Sequence, residues 1–372
     1  MSVVQETLYR RPIPAGAVAF SSPEGRQLFA EALASGGLEG YFPLAEQFHT
    51  QSEPSFCGLG SLVVALNALG VDPGRLWKGP WRWFAEELLD CCVPLSRVRE
   101  RGLEIEELAC LARCNGASVE LQYAEEVDAA AFRRALADAA RGASVLIASY
   151  DRSALGQTGS GHFSPVGGYF GARDLALVLD VARFKYPPHW LSAELLFGAM
   201  LPRDPATGRS RGWLGLRRRE QGIALGFSVK CEGESWRGIA ERLEVVEQAL
   251  RAARDLPELV RAVEPLVAQL ELRTPTTAAH RDALGAALSA LRELSIYPEV
   301  EAQVGATTAE AVTLLVAALA PALAPAGRAL VAPASDASDA QRALAQEIDN
   351  VRAQLAALAQ RARPALTSPA AR

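Results

Sequence analysis

The 372-residue sequence has six cysteines, four histidines and three lysines, and it has no long apolar run. The low cysteine content, the net charge and the missing apolar run each exclude a class of protein. Six cysteines without framework spacing argue against a disulfide-stapled scaffold and predict a reducing, cytoplasmic location. The net charge of −5 disfavours a nucleic-acid partner. The first residues lack the apolar core of a signal peptide, and no apolar run is long enough to span a membrane. We therefore expect a soluble protein without a membrane or nucleic-acid partner.

The composition that remains is that of a globular chain with a sizeable core. Hydrophobic residues make up 49% of the sequence and charged residues 22%. At about 150 residues per domain, this length predicts two domains.

One cysteine stands at the start of a helical pattern. Cys57 is followed by apolar residues that recur on one helical stripe, namely Leu59, Leu62, Val63, Leu66 and Leu69. The partial positive charge at a helix N-terminus favours the thiolate and lowers the pKa of a cysteine there. Gln51 lies upstream, close enough to turn its amide N–H toward an oxygen held near the sulfur. This arrangement predicts a cysteine acyl-transfer site.

A base and its orienting group follow later in the chain. His162 stands in a glycine-rich segment, where Gly161 allows the close approach of a substrate backbone, and a strand pattern comes after it. The apolar run Leu175–Leu179 then leads to Asp180, at the end of a second predicted strand. A carboxylate there is well placed to hold an imidazole tautomer. The order Cys, His, Asp is that of a papain-like triad.

Each of these residues also has a structural interpretation. A single cysteine is often a small core residue, a single histidine a satisfied structural group, and an aspartate after a strand a turn or cap residue. His49, close before Cys57, is an alternative base, whereas His189 follows two prolines and fits a rigid turn. The four residues together, in this order and spacing, favour the catalytic interpretation.

Longer strings of residues are similar to one known family. The similarity is dense from about residue 8 to 220 and weaker beyond. The strings are Tyr41–Leu44, Thr50–Pro54, Cys57–Leu59, Leu66–Leu69, Asp72–Arg75, Trp77–Phe84, Leu89–Cys92, Gln157–Gly159, Gly161–Pro165 and Asp180–Trp190. On these motifs the sequence resembles the phytochelatin synthases. Those enzymes are papain-like γ-glutamylcysteine dipeptidyl transpeptidases that make metal-chelating peptides from glutathione.

The resemblance implies a role for each candidate. Cys57 is expected to be the nucleophile, His162 the general base and acid, Asp180 the group that orients His162, and Gln51 the side-chain oxyanion donor. Glutathione is expected as both acyl donor and acceptor. The resemblance also implies Cd²⁺ or Zn²⁺ as an activator, mainly as glutathione thiolate complexes.

Substrate-binding residues are predicted from the charges of glutathione, which carries two carboxylates and one amine. Arg183 and Lys185 follow Asp180, and Arg152 follows a predicted strand. Glu53, near the nucleophile, is a candidate for the substrate amine. The alternative for Arg183 and Lys185 is a solvated loop edge.

Four further cysteines form a weaker pattern. Cys110 and Cys114 are one helical turn apart, and Cys91 or Cys92 can complete a soft-metal site with them. This spacing fits ordinary zinc sites poorly, and buried reduced thiols are the favoured alternative.

The chain is predicted to be α+β. A papain-like catalytic domain over residues 1–220 is followed by a mainly helical C-terminal domain over 221–323. An Ala/Pro-rich linker follows over 324–338, and a helix and tail over 339–372. In the last helix, Leu344, Ile348, Val351, Leu355 and Leu358 form a heptad seam. The seam predicts either a homodimer or docking on the same chain.

Three functions are consistent with these residues. The first is the transfer of γ-Glu-Cys to a second glutathione. The second is the hydrolysis of glutathione to glycine and γ-Glu-Cys, which uses the same catalytic residues. The third is a thiol-rich metal-binding protein, which six cysteines in 372 residues disfavour. The predicted second domain and the Asp180–Trp190 string favour transfer.

Overall fold

A computed structural model describes residues 10–73, 76–91, 93–219, 227–229, 236–272, 278–319 and 338–359. These residues form two compact units. The first contains the described residues up to Val71, together with Trp83–Leu89 and Leu95–Arg218. The second contains Asp72–Arg82, Asp90–Pro94 and the described residues from Arg219 onward. The predicted boundaries at 220, 323 and 338 stay predictions, because residues 220–226 and 320–337 lie outside the described residues.

The first unit mixes helices and strands, as predicted for an α+β protein. Its elements are β1 (Val18–Ala19), α1 (Pro23–Ala34), α2 (Tyr41–Gln47), α3 (Cys57–Ala68), α4 (Leu95–Arg101), α5 (Ile105–Cys114), β2 (Ala117–Tyr123), α6 (Ala129–Ala140), β3 (Val145–Asp151), β4 (Gly161–Phe170), β5 (Leu175–Val178), β6 (His189–Ser192), α7 (Ala193–Gly198) and β7 (Gly212–Arg218). Two of these helices begin at a residue whose side chain caps the helix. Ser22 accepts a hydrogen bond from Gly25 N at the start of α1, and Asp128 accepts one from Ala131 N at the start of α6.

A seven-stranded sheet organises this unit. Its strand order is β1-β6-β5-β4-β3-β7-β2, and every neighbouring pair is antiparallel. In the β3–β4 ladder, Tyr150 is paired with His162 and Leu146 with Val166. Directly opposite residues share a face of the sheet, so this register decides on which face His162 lies.

One cluster of buried residues lies against that same face. Phe132 and Leu136 of α6 pack with Leu146, Tyr150 and Val166 in one cluster of buried residues. Helix α3 contacts the sheet at Phe163, whose backbone O accepts a hydrogen bond from Ser61 Oγ at 3.1 Å. Residues Cys57 to Leu66 of α3 are all buried. The nucleophile predicted from the sequence therefore begins a helix that is fixed in the core.

The second unit is mainly helical, as predicted. Its elements are β8 (Phe227–Val229), α8 (Trp236–Ala252), α9 (Leu256–Val267), β9 (Leu270–Leu272), α10 (Ala278–Arg292), α11 (Tyr297–Val304), α12 (Ala306–Ala318) and α13 (Asp339–Ala359). The strands β8 and β9 pair with each other and are antiparallel.

Three residues of the heptad seam of α13 are covered within the chain, and the side chain of Leu358 lies outside the described ones. Leu344, Val351 and Leu355 are buried, and α13 packs against α8, α10 and α12. These contacts correspond to the predicted docking on the same chain, and the homodimer stays a prediction. In the part of the chain that the structure describes, no helix is both long and apolar enough to cross a bilayer.

Candidate active site

The nucleophile candidate lies at the first turn of α3. Cys57 is the first helical residue and is buried. Gly58 follows it, and a Cβ there would lie 3.0 Å from Leu103 Cδ1 and 3.4 Å from Phe163 Cδ2. The missing side chain thus lets the helix start approach both neighbours closely. This brings the sulfur beside the strand that carries His162.

His162 and Asp180 are joined as the sequence predicted. His162 Nε2 lies 3.0 Å from Asp180 Oδ1, and both side chains are almost fully buried. The edge of the imidazole meets Tyr150 with 5.6 Å between ring centroids. Asp180 follows β5, and Ala182 N donates a 2.9 Å hydrogen bond to its Oδ1. The carboxylate is therefore held by its own loop while it faces the imidazole.

The charges of the site favour an anionic sulfur. Burial alone would raise the pKa of Cys57, but the charge of His162 and its hydrogen bond, the Phe163 backbone and the charge of Arg152 lower it below the ordinary value. Burial would likewise raise the pKa of Asp180, yet His162 and Arg152 hold it well below its usual range. For His162, burial disfavours the imidazolium, and the Asp180 carboxylate outweighs this and raises the pKa, while Arg152 acts in the opposite direction. A thiolate beside an imidazolium is the resting state that this balance supports.

Arg152 lies inside the triad instead of at its edge. Its Nη2 is 2.8 Å from His162 Nε2, and 2.9 Å and 2.8 Å from the two carboxylate oxygens of Asp180. Its Nη1 donates to Gln157 Oε1 at 2.7 Å. The sequence predicted Arg152 as a substrate ligand. The structure commits both terminal nitrogens to protein partners, because the strand end at Asp151 aims the side chain at Asp180.

Gln51 is close to the nucleophile but points elsewhere. Its Nε2 donates to the backbone O of Glu53 at 2.8 Å and of Pro54 at 2.9 Å. Its Oε1 is buried without a hydrogen-bond partner among the described residues. Both amide hydrogens are therefore engaged in the turn before Cys57. The role as an oxyanion donor stays a prediction, since it needs this side chain to rotate.

Glu86 supports the same turn and was missed by sequence reasoning. It is buried, and it accepts hydrogen bonds from Ser52 Oγ and, at 3.1 Å, from Ser52 N. Burial raises its pKa above the ordinary value although Ser52 lowers it. Gly60 of α3 lies against it, since a Cβ there would be 3.0 Å from Glu86 Oε1. Glu86 lies far from Ser52 in the sequence, so no local motif indicated that the two side chains would interact.

A cleft of about 580 Å³ opens over the triad. Cys57, Arg152 and His162 line it, together with two of the predicted substrate residues, Gly161 and Lys185. Lys185 Nζ also donates to Thr158 O. This volume is within the range of small-molecule sites.

Two of the predicted substrate residues are not among those that line the cleft. Glu53 forms an ion pair with Arg99 at 3.3 Å, so its carboxylate already has a cationic partner. The Arg183 guanidinium lies over the ring of Phe48, 4.8 Å from its centroid. A role of Glu53 or Arg183 in substrate binding stays a prediction.

Arg211, which the sequence did not single out, lines the cleft next to the triad. Only 4% of its side chain is exposed. Its Nη1 is 3.5 Å from Asp151 and its Nη2 is 3.7 Å from Asp204, and both carboxylates also line the cleft. A Cβ at Gly161 would lie 3.3 Å from Nη2, so the glycine leaves room for the guanidinium. Its Nη1 also donates to Pro202 O at 3.0 Å, while Nη2 has only the long contact to Asp204.

The predicted cysteine-based metal site stays a prediction without support among the described residues. Cys110 and Cys114 lie one turn apart on α5, and these two and Cys91 are buried. Cys92 lies outside the described residues. Among the residues that are described, no three His, Cys, Asp or Glu side chains come together as a metal site.

Comparisons with known proteins identify one matching family and several similar sequences. A family model described as phytochelatin synthase matches residues 8–213. A Triticum aestivum protein named glutathione gamma-glutamylcysteinyltransferase 1 is 52% identical over 63% of this chain and 47% of its own length. An Arabidopsis thaliana protein of the same name is 47% identical over 68% and 51%. A Schizosaccharomyces pombe glutathione gamma-glutamylcysteinyltransferase is 40% identical over 70% and 63%. The chain thus spans about half the length of the curated plant relatives it matches.

Proposed function

The chain belongs to the phytochelatin synthase family, and on that basis we propose that it is a glutathione γ-glutamylcysteinyltransferase that makes phytochelatins. The observation that carries the proposal is the buried Cys57 thiol, whose pKa is lowered by the charge of a His162 that is itself held by Asp180. Such a pair activates a nucleophile for acyl transfer. The finer fold assignment is part of the proposal. A helix that begins with the nucleophile and an antiparallel sheet that carries the base are the arrangement of papain-like cysteine peptidases.

The first half-reaction forms a thioester. The Cys57 thiolate attacks the carbonyl carbon between the cysteine and glycine of glutathione, and a C–S bond forms. The backbone N–H of Cys57 is one donor for the oxyanion. Gln51 becomes the second donor once its amide rotates away from the backbone carbonyls of Glu53 and Pro54. His162 gives its proton to the glycine nitrogen as the C–N bond breaks. Glycine leaves, and γ-Glu-Cys stays on the sulfur.

The second half-reaction transfers the dipeptide. The α-amine of a second glutathione attacks the thioester carbonyl, and His162 accepts the amine proton. The C–S bond then breaks and Cys57 leaves as a thiolate. The product, (γ-Glu-Cys)n-Gly, carries repeated thiolates that suit soft metals such as Cd²⁺. We propose that Cd²⁺ or Zn²⁺ takes part mainly as a glutathione thiolate complex, and that the reaction takes place in the cytoplasm.

The charges of the cleft support the choice of substrate. The γ-glutamyl end of glutathione carries one ammonium and one carboxylate on the same carbon. Arg211, with Asp151 and Asp204 beside it, offers a cation and two anions within one wall of the cleft. Lys185 offers a second cation for the other carboxylate.

A product assay tests the proposal. The purified protein is incubated with glutathione, with and without Cd²⁺ or Zn²⁺, and the products are analysed by mass spectrometry. We expect (γ-Glu-Cys)n-Gly with n of two or more, and none from Cys57→Ser. Cys114→Ala, which changes a buried thiol outside the cleft, is the matched control and should remain active. Release of γ-Glu-Cys and glycine alone would show that the enzyme is a hydrolase and not a transferase. Turnover by Cys57→Ser would show that Cys57 is not the nucleophile.

A further inference from the structure

The turn before the nucleophile is held on both sides of Gln51. The backbone N of Gln51 donates to Val181 O at 3.0 Å, in the segment that follows Asp180. The backbone N of the next residue, Ser52, donates to Glu86 Oε2 at 3.1 Å. The two soft backbone torsions of Gln51 lie between these two N–H groups. The two hydrogen bonds therefore restrict the direction in which the Gln51 side chain leaves the backbone.

Glu86 is itself held against the helix α3. Asn67 of that helix forms two hydrogen bonds with the backbone of Phe84, from its Nδ2 to Phe84 O at 3.0 Å and from Phe84 N to its Oδ1 at 3.1 Å. A Cβ at Gly60 would lie 3.0 Å from Glu86 Oε1 and 3.3 Å from Gln51 Cβ. The glycine thus lets both side chains pack on the first turns of α3. The carboxylate is therefore fixed relative to the helix that carries the nucleophile.

The carboxylate of Glu86 is buried without an ion pair that would explain it. The residue is 5% exposed, and no lysine or arginine of the described residues pairs with it. It accepts hydrogen bonds from the backbone N and the Oγ of Ser52. Burying a carboxylate without a cationic partner is costly, so stability is a poor reason for its presence. Neither Glu86 nor Ser52 is among the residues that line the cleft, so substrate contact does not explain it either.

We propose that Glu86 is a positioning residue for the oxyanion donor, whose carboxylate holds Ser52 so that the Gln51 side chain stays within reach of the oxygen that becomes anionic beside Cys57. The inference rests on the proposed acyl-transfer function, in which Gln51 is the second oxyanion donor. In the resting structure the Gln51 amide donates to Glu53 O and Pro54 O. With the backbone held, only rotation about its side-chain torsions is needed to bring the amide to the oxyanion.

This role affects the transition state more than the bound substrate. The Gln51 amide bonds the oxyanion only after the thiolate has attacked, and an interaction made only in the transition state changes kcat and leaves KM nearly constant. A residue that served only the fold would lower the fraction of active molecules or the stability of the protein instead. The ratio of two reactions of the same sulfur separates these cases.

The first test measures steady-state glycine release from glutathione. Glu86→Gln keeps the shape of the side chain and replaces one acceptor oxygen by a donor. We expect kcat to fall about tenfold, which is less than the roughly 10²–10³-fold loss expected when a whole oxyanion donor is removed. KM should change by less than about twofold. An unchanged kcat would contradict the proposal.

Glu106→Gln is the matched control for this substitution. Glu106 also accepts a hydrogen bond from a hydroxyl group, that of Tyr123, and it is not among the residues that line the cleft. We expect its kcat and KM to equal those of the unmodified protein. An equal fall in both variants would show that the loss has no connection with the turn before the nucleophile.

The second test compares two reagents for the Cys57 sulfur and does not use glutathione. p-Nitrophenyl acetate acylates a thiolate through a tetrahedral oxyanion and releases p-nitrophenolate, whereas iodoacetamide alkylates it by displacement of iodide without any oxyanion. Cys57→Ser supplies the background rate for both. We expect Glu86→Gln to lower the acylation rate several-fold and to leave the alkylation rate unchanged. Equal changes in the two rates would mean that Glu86 acts on the thiolate or on the fold, which would overturn the proposal.

A variant pair tests whether Glu86 acts through Gln51. Contributions of residues that act as one unit are not additive, whereas those of independent residues are. Glu86→Gln should therefore slow acylation in the unmodified protein and have little further effect in Gln51→Ala. Ser52→Ala, which removes one of the two donors and leaves no buried charge alone, should show the same pattern with a smaller effect. It also decides the point if Glu86→Gln does not fold. Additive losses would contradict the proposal.

The two assays separate this proposal from the proposed function. If the unmodified protein releases no glycine from glutathione, the proposed function fails, and the ratio of acylation to alkylation still decides the role of Glu86. If glycine is released and that ratio is the same in Glu86→Gln as in the unmodified protein, the enzyme assignment stands and the role of Glu86 is wrong.

Discussion

Two arginine–aspartate pairs in the first unit have nearly the same bond lengths and very different surroundings. Arg152 meets Asp180 at 2.8 and 2.9 Å with side chains that are 4% and 0% exposed. Arg133 meets Asp174 at 2.9 and 2.8 Å with side chains that are about one third exposed. The exposed pair ties α6 to the turn before β5. The hydrogen-bond distances alone therefore do not show which of the two pairs matters for the chemistry of the site.

The difference lies in what water can do at each pair. Around Arg133, solvent and Glu194 can replace a lost partner. Around Arg152, water has little access to either charge, and a pair buried in this way contributes little net stability because desolvation offsets the attraction. Breaking it is costly all the same, since one charge is left alone in the core. A buried pair next to a nucleophile is thus better explained by its effect on protonation than by stability.

Asp180→Asn is expected to have the largest effect. It leaves Arg152 buried without its carboxylate, and it removes the group that orients His162. We expect a loss of about 3–5 kcal/mol in the free energy of unfolding and a fall of roughly 10⁴-fold in glycine release from glutathione. Urea denaturation and a glycine assay measure the two effects. A variant as stable as the unmodified protein would show that the pair is not desolvated in solution.

The pH dependence of stability should also distinguish the Arg152–Asp180 pair from the Arg133–Asp174 pair. The pKa of Asp180 is lower in the folded protein than in the unfolded chain. Its contribution to stability is therefore complete above the ordinary aspartate value near 3.9 and is lost as the pH falls below it toward the folded pKa. The pKa of Asp174 is also lowered, chiefly by its hydrogen bond from Arg133, but this group is far more exposed.

We expect Asp180→Asn to flatten the acid limb of the unfolding free energy more than Asp174→Asn does. Urea titrations from pH 5 to pH 3 measure both curves. Equal flattening would mean that burial does not separate the two carboxylates.

Arg211 combines the burial of Arg152 with weaker ion pairs than either Arg152 or Arg133 has. It is as buried as Arg152, yet its carboxylate partners are 3.5 and 3.7 Å away. We expect Arg211→Lys to raise the KM for glutathione about tenfold, equivalent to 1.4 kcal/mol of binding, because an ammonium cannot bind a carboxylate with two parallel hydrogen bonds. The kcat should change less. Steady-state kinetics decide the point, and an unchanged KM would place the substrate carboxylate elsewhere.

Arg133→Met should have the smallest effect. The pair is solvated and lies away from the cleft, so we expect kcat, KM and the urea midpoint to equal those of the unmodified protein within error. A clear loss of activity would show that the turn before β5 transmits strain to Asp180.

Much of the site followed from local patterns in the sequence. The stripe from Leu59 to Leu66 predicted the helix that Cys57 begins, and the strands before Asp180 and around His162 were placed within a few residues. Such elements are set by short-range periodicity. The α+β class followed in the same way, whereas the short strands β8 and β9 were not expected.

Residues that act through distant contacts were not predictable. Arg211 and Glu86 carry no motif, and each meets the site only because the sheet or a loop brings it there. Arg152 was selected for its charge, but its burial against Asp180 depends on the direction in which β3 ends. Glu53 and Arg183 were expected at the substrate because of nearness in sequence, and the structure gives them other partners.

The β3–β4 ladder has a practical consequence for folding experiments. Tyr150 and His162 are opposite each other, and a slip of one residue would turn the imidazole to the reverse face of the sheet. A misaligned molecule can retain the secondary structure seen by circular dichroism and still be catalytically silent. The turnover per mole of refolded protein therefore measures the fraction of molecules in which β3 and β4 pair in the native register.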